Sequence, residues 1–145
     1  MDNIDQKILV PYSAEEMFNL ANNIEEYPDF LPWCSKTEVK RQSENEVEAT
    51  IYINYSGIRQ HFSTTNTIDP PKRIVMHLKE GPFRHLHGEW DFIPIDNQAS
   101  EVKFHLEFEF SSRLLNMTIS PVFKRLIGNI TTSFLERAAQ KYGAR

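Results

Sequence analysis

The chain has 145 residues, 40% of them hydrophobic and 25% charged, with 20 acidic against 16 basic side chains and a net charge of −4. This size fits one domain over residues 1–145, with enough chain to bury roughly two thirds of its unfolded surface, and the composition excludes a disordered polymer. The acidic balance argues against a general nucleic-acid binder held by counterion release and leaves room only for a local basic patch, with no DNA partner expected; no apolar run reaches the roughly 18 residues of a membrane span, "MDNIDQKILV" lacks signal-peptide order, and one cysteine forbids an internal disulfide, which together lead us to expect a cytoplasmic protein.

Ile4, Gln6, Ile8 and Val10 alternate against Asp5, Lys7 and Leu9, a short and imperfect strand pattern that Pro11 breaks. The period then changes. Ser13 followed by Glu16 has capping-box spacing, and Met17, Leu20, Ala21 and Ile24 recur at helical intervals, so one short helix follows, with a further turn before Pro28. From Ser35 to Phe110 the period is two almost throughout. In "EVKFHLEFEF" Val102, Phe104, Leu106, Phe108 and Phe110 share one face, while Glu101, Lys103, His105, Glu107 and Glu109 share the other. Turns are expected at Ser43 to Asn45, Asp69 to Pro71, Gly81-Pro82 and Asp96-Asn97, giving about seven strands. Beyond Ser111-Ser112 the period returns to 3.6. Ser120-Pro121 opens a long helix whose apolar stripe runs through Phe123, Ile127, Ile130, Phe134 and Ala138 to Tyr142, with Gly143 as its stop. The fold class is α+β: a curved antiparallel sheet wrapped around that helix, with a gap between them that side chains fill or a ligand occupies.

Candidate chemistry is sparse. Cys34 follows Trp33 and two nearby prolines, with no neighbouring base to lower its pKa, so it reads as a small buried hydrophobe. His85 and His87 share a strand face, but Leu86, Gly88, Trp90 and Phe92 hold the apolar parity, which leaves both histidines wet and short of a zinc ligand set; no metal is expected. Carboxylates such as Glu107 and Glu109 take the polar parity, and no nucleophile or phosphate-loop motif is present, so the reading is non-enzymatic and without a cofactor. More informative are Gln60, Thr64 and Asn66, which interrupt an inward face shared with Ile58, Phe62 and Ile68. Buried polar groups need partners, supplied either by a side-chain network or by a ligand. Basic residues gather at Lys36, Lys40 and Arg41 and along the last helix.

Three segments carry a family resemblance: "VPYSAEEMFNLANNIEEYPDFLPWCSKTEV", "EGPFRHLHGEW" and "LEFEFSSRLLNMTISPVFKRLI". They resemble the bacterial members of the coenzyme Q-binding START-domain family, also called the ribosome association toxin family, grouped with the polyketide cyclase-like proteins of the SRPBCC superfamily. The similarity runs from about Ile4 to Tyr142, and the Y-P-D-F-L-P-W-C run is its most specific part. It implies a helix-grip fold and a hydrophobic tunnel able to hold ubiquinone or a similar prenyl lipid in support of respiration. It also implies an alternative role, attachment to the large ribosomal subunit that blocks subunit association; a cyclase or aromatase-like enzyme on the same fold ranks third. On the lipid reading the cavity is lined by Phe62, Met76, Trp90, Phe104, Leu106, Phe108, Phe123 and Ile127, with Thr64 and Asn66 as polar contacts. Phe30, Leu31 and a partly exposed Trp33 form the entrance, suited to peripheral contact with the inner membrane. On the ribosome reading Lys124, Arg125 and Lys141 form the docking patch.

Overall fold

The alternating segments become seven strands in a computed structural model that describes residues 1–145: β1 Asp2–Val10, β2 Cys34–Arg41, β3 Glu46–Tyr55, β4 Ile58–Asp69, β5 Arg73–Glu80, β6 Phe83–Pro94 and β7 Ser100–Phe110. Neighbours are antiparallel throughout, in the order β1-β7-β6-β5-β4-β3-β2, so successive hairpins build six strands and β1 returns to close beside β7. Burial follows the alternation closely in β7, where every second side chain from Ser100 to Phe110 is buried. The expected turns fall between strands. One turn lacked a sequence expectation: Ser56 and Gly57, both at positive φ (49° and 81°), make the two-residue turn between β3 and β4, the backbone geometry that matches the twist of a hairpin.

Between β1 and β2 lie α1, Ala14–Asn22, a single 3-10 turn, Ile24–Glu26, and α2, Tyr27–Phe30. The capping box at the start of α1 is complete: Ser13 Oγ accepts from the Glu16 amide at 3.1 Å, and Glu16 Oε1 accepts from the Ser13 amide at 3.0 Å.

The C-terminal helix is bent where a single continuous helix was expected. After α3, Arg113–Thr118, the chain forms α4, Ser120–Ile127, and α5, Ile130–Tyr142, separated at Gly128-Asn129. The break leaves carbonyls at the end of α4 and amides at the start of α5 without helical partners, and Gln6 of β1 supplies them. Its Nε2 donates to the carbonyls of Ile127 (3.1 Å) and Gly128 (2.5 Å), while its Oε1 accepts from the Thr131 amide (3.1 Å) and hydroxyl (2.8 Å). One side chain thus stitches the bend to the sheet. Replacing it with an apolar side chain, Gln6→Leu, is expected to cost about 1–2 kcal/mol in urea unfolding, because half-buried donors and acceptors are left without partners.

Acid and base pairs tie the ends of the chain to this frame. Lys124 lies 2.7 Å from Asp2, Arg145 lies 2.6 Å from Glu16, and Glu26 receives both Lys141 (3.0 Å) and Arg137 (2.9 Å). Each hydrogen-bonded cation holds its carboxyl below the ordinary value, Lys124 that of Asp2, Arg145 that of Glu16 and Lys141 first for Glu26. Their contribution is therefore present above the unfolded carboxylate pKa and lost as pH falls through the lower folded values. His105 moves the other way, raised chiefly by its hydrogen bond to Asp5, so its contribution is full below the ordinary histidine value of 6.5 and fades as pH rises through the folded one. All these groups are partly solvated and individually small. Thermal stability should plateau at about pH 5–6, fall steeply below pH 4 and decline slightly above neutrality. His105→Gln should remove only the alkaline decline.

Candidate functional site

The concave face of the sheet, α1, α2, α4 and α5 enclose one apolar interior, and a small gap remains within it. Its volume is about 80 Å³, and of the twenty residues around it only Thr64 and Asn66 are polar. Phe62, Thr64, Asn66, Met76, Trp90, Phe104, Leu106, Phe123 and Ile127 all border it, so the inward parity read from the sequence brings these side chains to one place. Thr64 Oγ1 donates to Asn66 Oδ1 at 2.7 Å. The two polar residues thus satisfy each other in part, which leaves the Asn66 amide nitrogen as the free polar handle of the cavity.

Phe108 is a correction. It has the expected parity but no exposure to the gap, because it sits two residues beyond Leu106, about 7 Å further along β7, where it packs into an aromatic cluster with Phe123 (ring centroids 4.9 Å), Phe110 (5.9 Å) and Phe83 (6.4 Å). That cluster plugs the α3 end of the interior.

The expected entrance is closed. Leu31 and Trp33 border the gap but are only 1% and 7% exposed, so Trp33 is not the partly exposed side chain of the sequence reading. Backbone bonds explain this: the Leu31 amide donates to the Tyr27 carbonyl (2.9 Å), the Cys34 amide to that of Leu31 (2.9 Å), and the Asn54 amide of β3 to that of Trp33 (3.0 Å). The segment is pinned to α2 on one side and to the sheet on the other. Phe30 turns away from the gap; its ring meets Phe134 at 5.1 Å and Tyr27 at 6.0 Å, and the Arg137 guanidinium lies 5.2 Å above it. The aromatic segment is therefore a stopper. Cys34 is buried within it, and burial pushes its thiol up to about 11, which fits the packing role read from the sequence.

His85 and His87 point outward from β6, His87 tilting over His77 at 5.0 Å and His85 standing 3.5 Å from Glu107. The three cations of the expected patch do not stand free together. Lys124 and Lys141 are occupied by Asp2 and Glu26, and only Arg125 is exposed without an ion pair. Their acids come from β1 and from the 3-10 turn, partners invisible to a reading of the helix alone.

A sequence profile described as "Polyketide cyclase / dehydrase and lipid transport" matches residues 10–135. The chain belongs to this family. Among curated relatives, the ribosome association toxin RatA of Vibrio cholerae is 41% identical over 143 residues, covering 99% of each chain, and that of Escherichia coli is 37% identical, covering 100% of this chain and 92% of its own. The mitochondrial coenzyme Q-binding protein of Drosophila melanogaster is 24% identical and aligns with 95% of this chain but 59% of its own length. Of the solved structures, the Zhui aromatase/cyclase from Streptomyces superposes with a TM-score of 0.83 at 15% identity, covering 99% of both chains, and shares the fold alone. An 18 kDa protein from Caulobacter crescentus reaches 0.78 at 29% identity, covering 99% of this chain and 100% of that one. The α+β helix-grip architecture expected from the sequence thus stands, with the bend in its last helix added. No helix is long and apolar enough to cross a membrane.

Proposed function

We propose that the protein is a ribosome-associating factor of the RatA type, non-enzymatic, acting through its exterior. The observation that carries this reading is the state of the interior. A gap of about 80 Å³ falls well short of the about 300–1,000 Å³ of ordinary small-molecule pockets, and both its ends are closed by packed aromatic side chains. A prenyl tail has no room there without unpinning the Leu31 to Trp33 segment or displacing α4. Enzymatic cyclisation lacks support for a separate reason: the gap presents a hydroxyl, an amide and a buried phenol but no acid or base near neutrality. Burial raises even the Tyr27 phenol far above its ordinary value. Full-length similarity to proteins named ribosome association toxins supports a ribosomal partner. Sedimentation of the purified protein with ribosomal particles through a sucrose gradient is the test. We expect it to travel with the large subunit and to lower the yield of joined particles; protein that stays at the top of the gradient overturns the reading.

A second reading rests on the free amide of Asn66 in an otherwise apolar gap. A small, largely apolar molecule that presents a carbonyl oxygen to that amide, such as a quinone head group without its tail, suits that arrangement. Titration of a tail-less methoxyquinone, followed by amide shifts at Asn66 and the Trp90 indole, tests it; unshifted resonances at millimolar quinone would exclude it.

A further inference from the structure

The outward face of β2, β3 and β4 carries a row of stacked and cationic side chains that the interior does not use. Register places Lys36, Tyr52 and His61 side by side across three strands. Tyr52 and His61 are stacked, with ring centroids 5.2 Å apart and planes 24° from parallel, and Lys36 Nζ lies 5.2 Å from the centre of the Tyr52 ring. Lys36 comes from one neighbouring strand and His61 from the other, so the tyrosine ring is held between them. Arg59 stands two residues from His61 on the same face, opposite Asn54.

Three features make this row a surface prepared for a ligand. First, His61 is exposed and β4 outruns its neighbour: β5 pairs only from Ser63 onward, leaving Ile58 to Phe62 without a strand on that flank. Nothing in the sheet covers the outer side of the imidazole. Second, Lys36 and Arg59 make no ion pair, unlike Arg41, Lys79, Lys124 and Lys141. Third, Glu48 is paired with Lys79 at 2.9 Å, and the Glu38 carboxylate is held by the Tyr52 hydroxyl. An exposed imidazole, backed by a stacked tyrosine and in line with unpaired cations, fits a chain that alternates flat bases with phosphates. A lipid surface fits poorly, since none of the exposed large aliphatic side chains lies in the row.

We infer that this face binds single-stranded RNA, a base stacking on His61 while Arg59 and Lys36 neutralise the flanking phosphates. The inference deepens the ribosome reading, because ribosomal RNA is the polymer such a surface would meet.

Fluorescence anisotropy with a labelled ten-nucleotide RNA, run at several salt concentrations, is the direct test. His61→Ala should weaken binding on the order of tenfold, while His61→Phe, which keeps a ring, should retain it. Lys36→Glu and Arg59→Glu should each flatten the logarithmic salt dependence by about 0.7 or more. Arg125→Glu, exposed and remote, should change nothing. The same variants are then run with ribosomal particles on a gradient. Loss of both RNA and particle binding in His61→Ala supports the inference. Particle binding by every variant assigns the contact elsewhere and overturns this surface while the ribosome reading stands. RNA binding that depends on His61 in a protein that never sediments with ribosomes supports the surface and removes the ribosome reading. Wild-type protein that ignores RNA, or that is held equally by phosphatidylglycerol vesicles, overturns the inference.

Discussion

Phe134→Ala should lower the unfolding free energy by about 3–5 kcal/mol, the range for removing a large buried aromatic side chain. Phe134 is 1% exposed on α5 and forms edge-to-face contacts with three rings from two elements: Tyr27 at 5.4 Å and Phe30 at 5.1 Å on α2, and Trp90 at 5.0 Å on β6. It is where the C-terminal helix, the stopper segment and the sheet meet. The truncation also opens space beside the existing gap, which Phe134 borders, and a cavity lined by three fixed rings collapses poorly. Urea unfolding followed by tryptophan fluorescence should show a lower midpoint with an unchanged slope. A loss under 1 kcal/mol would mean that the helix is not held at this junction.

Gly81→Ala is the second large effect, at about 3 kcal/mol. Gly81 has φ of 148°, and a Cβ built there would lie 2.7 Å from the Phe62 Cβ and 3.2 Å from its Cα. Positive-φ strain costs about 1–3 kcal/mol, and a contact against backbone and Cβ, unlike one with a flexible tip, cannot be relieved by a rotamer change. The turn carries Phe83 into the aromatic plug and abuts Phe62, so the variant should also disturb the Phe62 and Phe83 ring resonances in an NMR spectrum. Gly88→Ala provides a contrast. A Cβ there meets the flexible end of Met76 at 2.6 Å and Leu106 Cδ1 at 3.0 Å, groups able to move into the gap, and its cost should be markedly smaller.

The sequence disclosed strands and helices unequally, for physical reasons. Alternation in β7 is legible because one face is buried and the other wet along its whole length. The six residues of α3 left no trace: Leu114 and Met117 are 67% and 69% exposed, so apolar positions there do not mark a buried stripe. The bend at Gly128-Asn129 was hidden because Phe123, Ile127, Ile130 and Phe134 keep a helical spacing across it; Gln6 at an inward position of β1 was the available hint. Parity found the residues around the gap, yet it carries no depth, which is how Phe108 was drawn into the cavity. Pairing between distant segments was equally invisible. Nothing in α4 or α5 announces that Asp2 and Glu26 neutralise Lys124 and Lys141, or that Lys36 and Arg59 stand unpaired on the sheet.

The central claim is that the exterior acts while the interior only packs. Ala49 is 2% exposed, borders the gap and sits opposite Thr64 on the neighbouring strand, so Ala49→Leu places three more carbons where a ligand would have to lie. The decisive measurement is gradient sedimentation of folded Ala49→Leu with large ribosomal subunits, beside the wild type. Equal association of the two proteins is the predicted result; a folded variant that no longer associates would show that an occupied interior controls the outside and would contradict the claim.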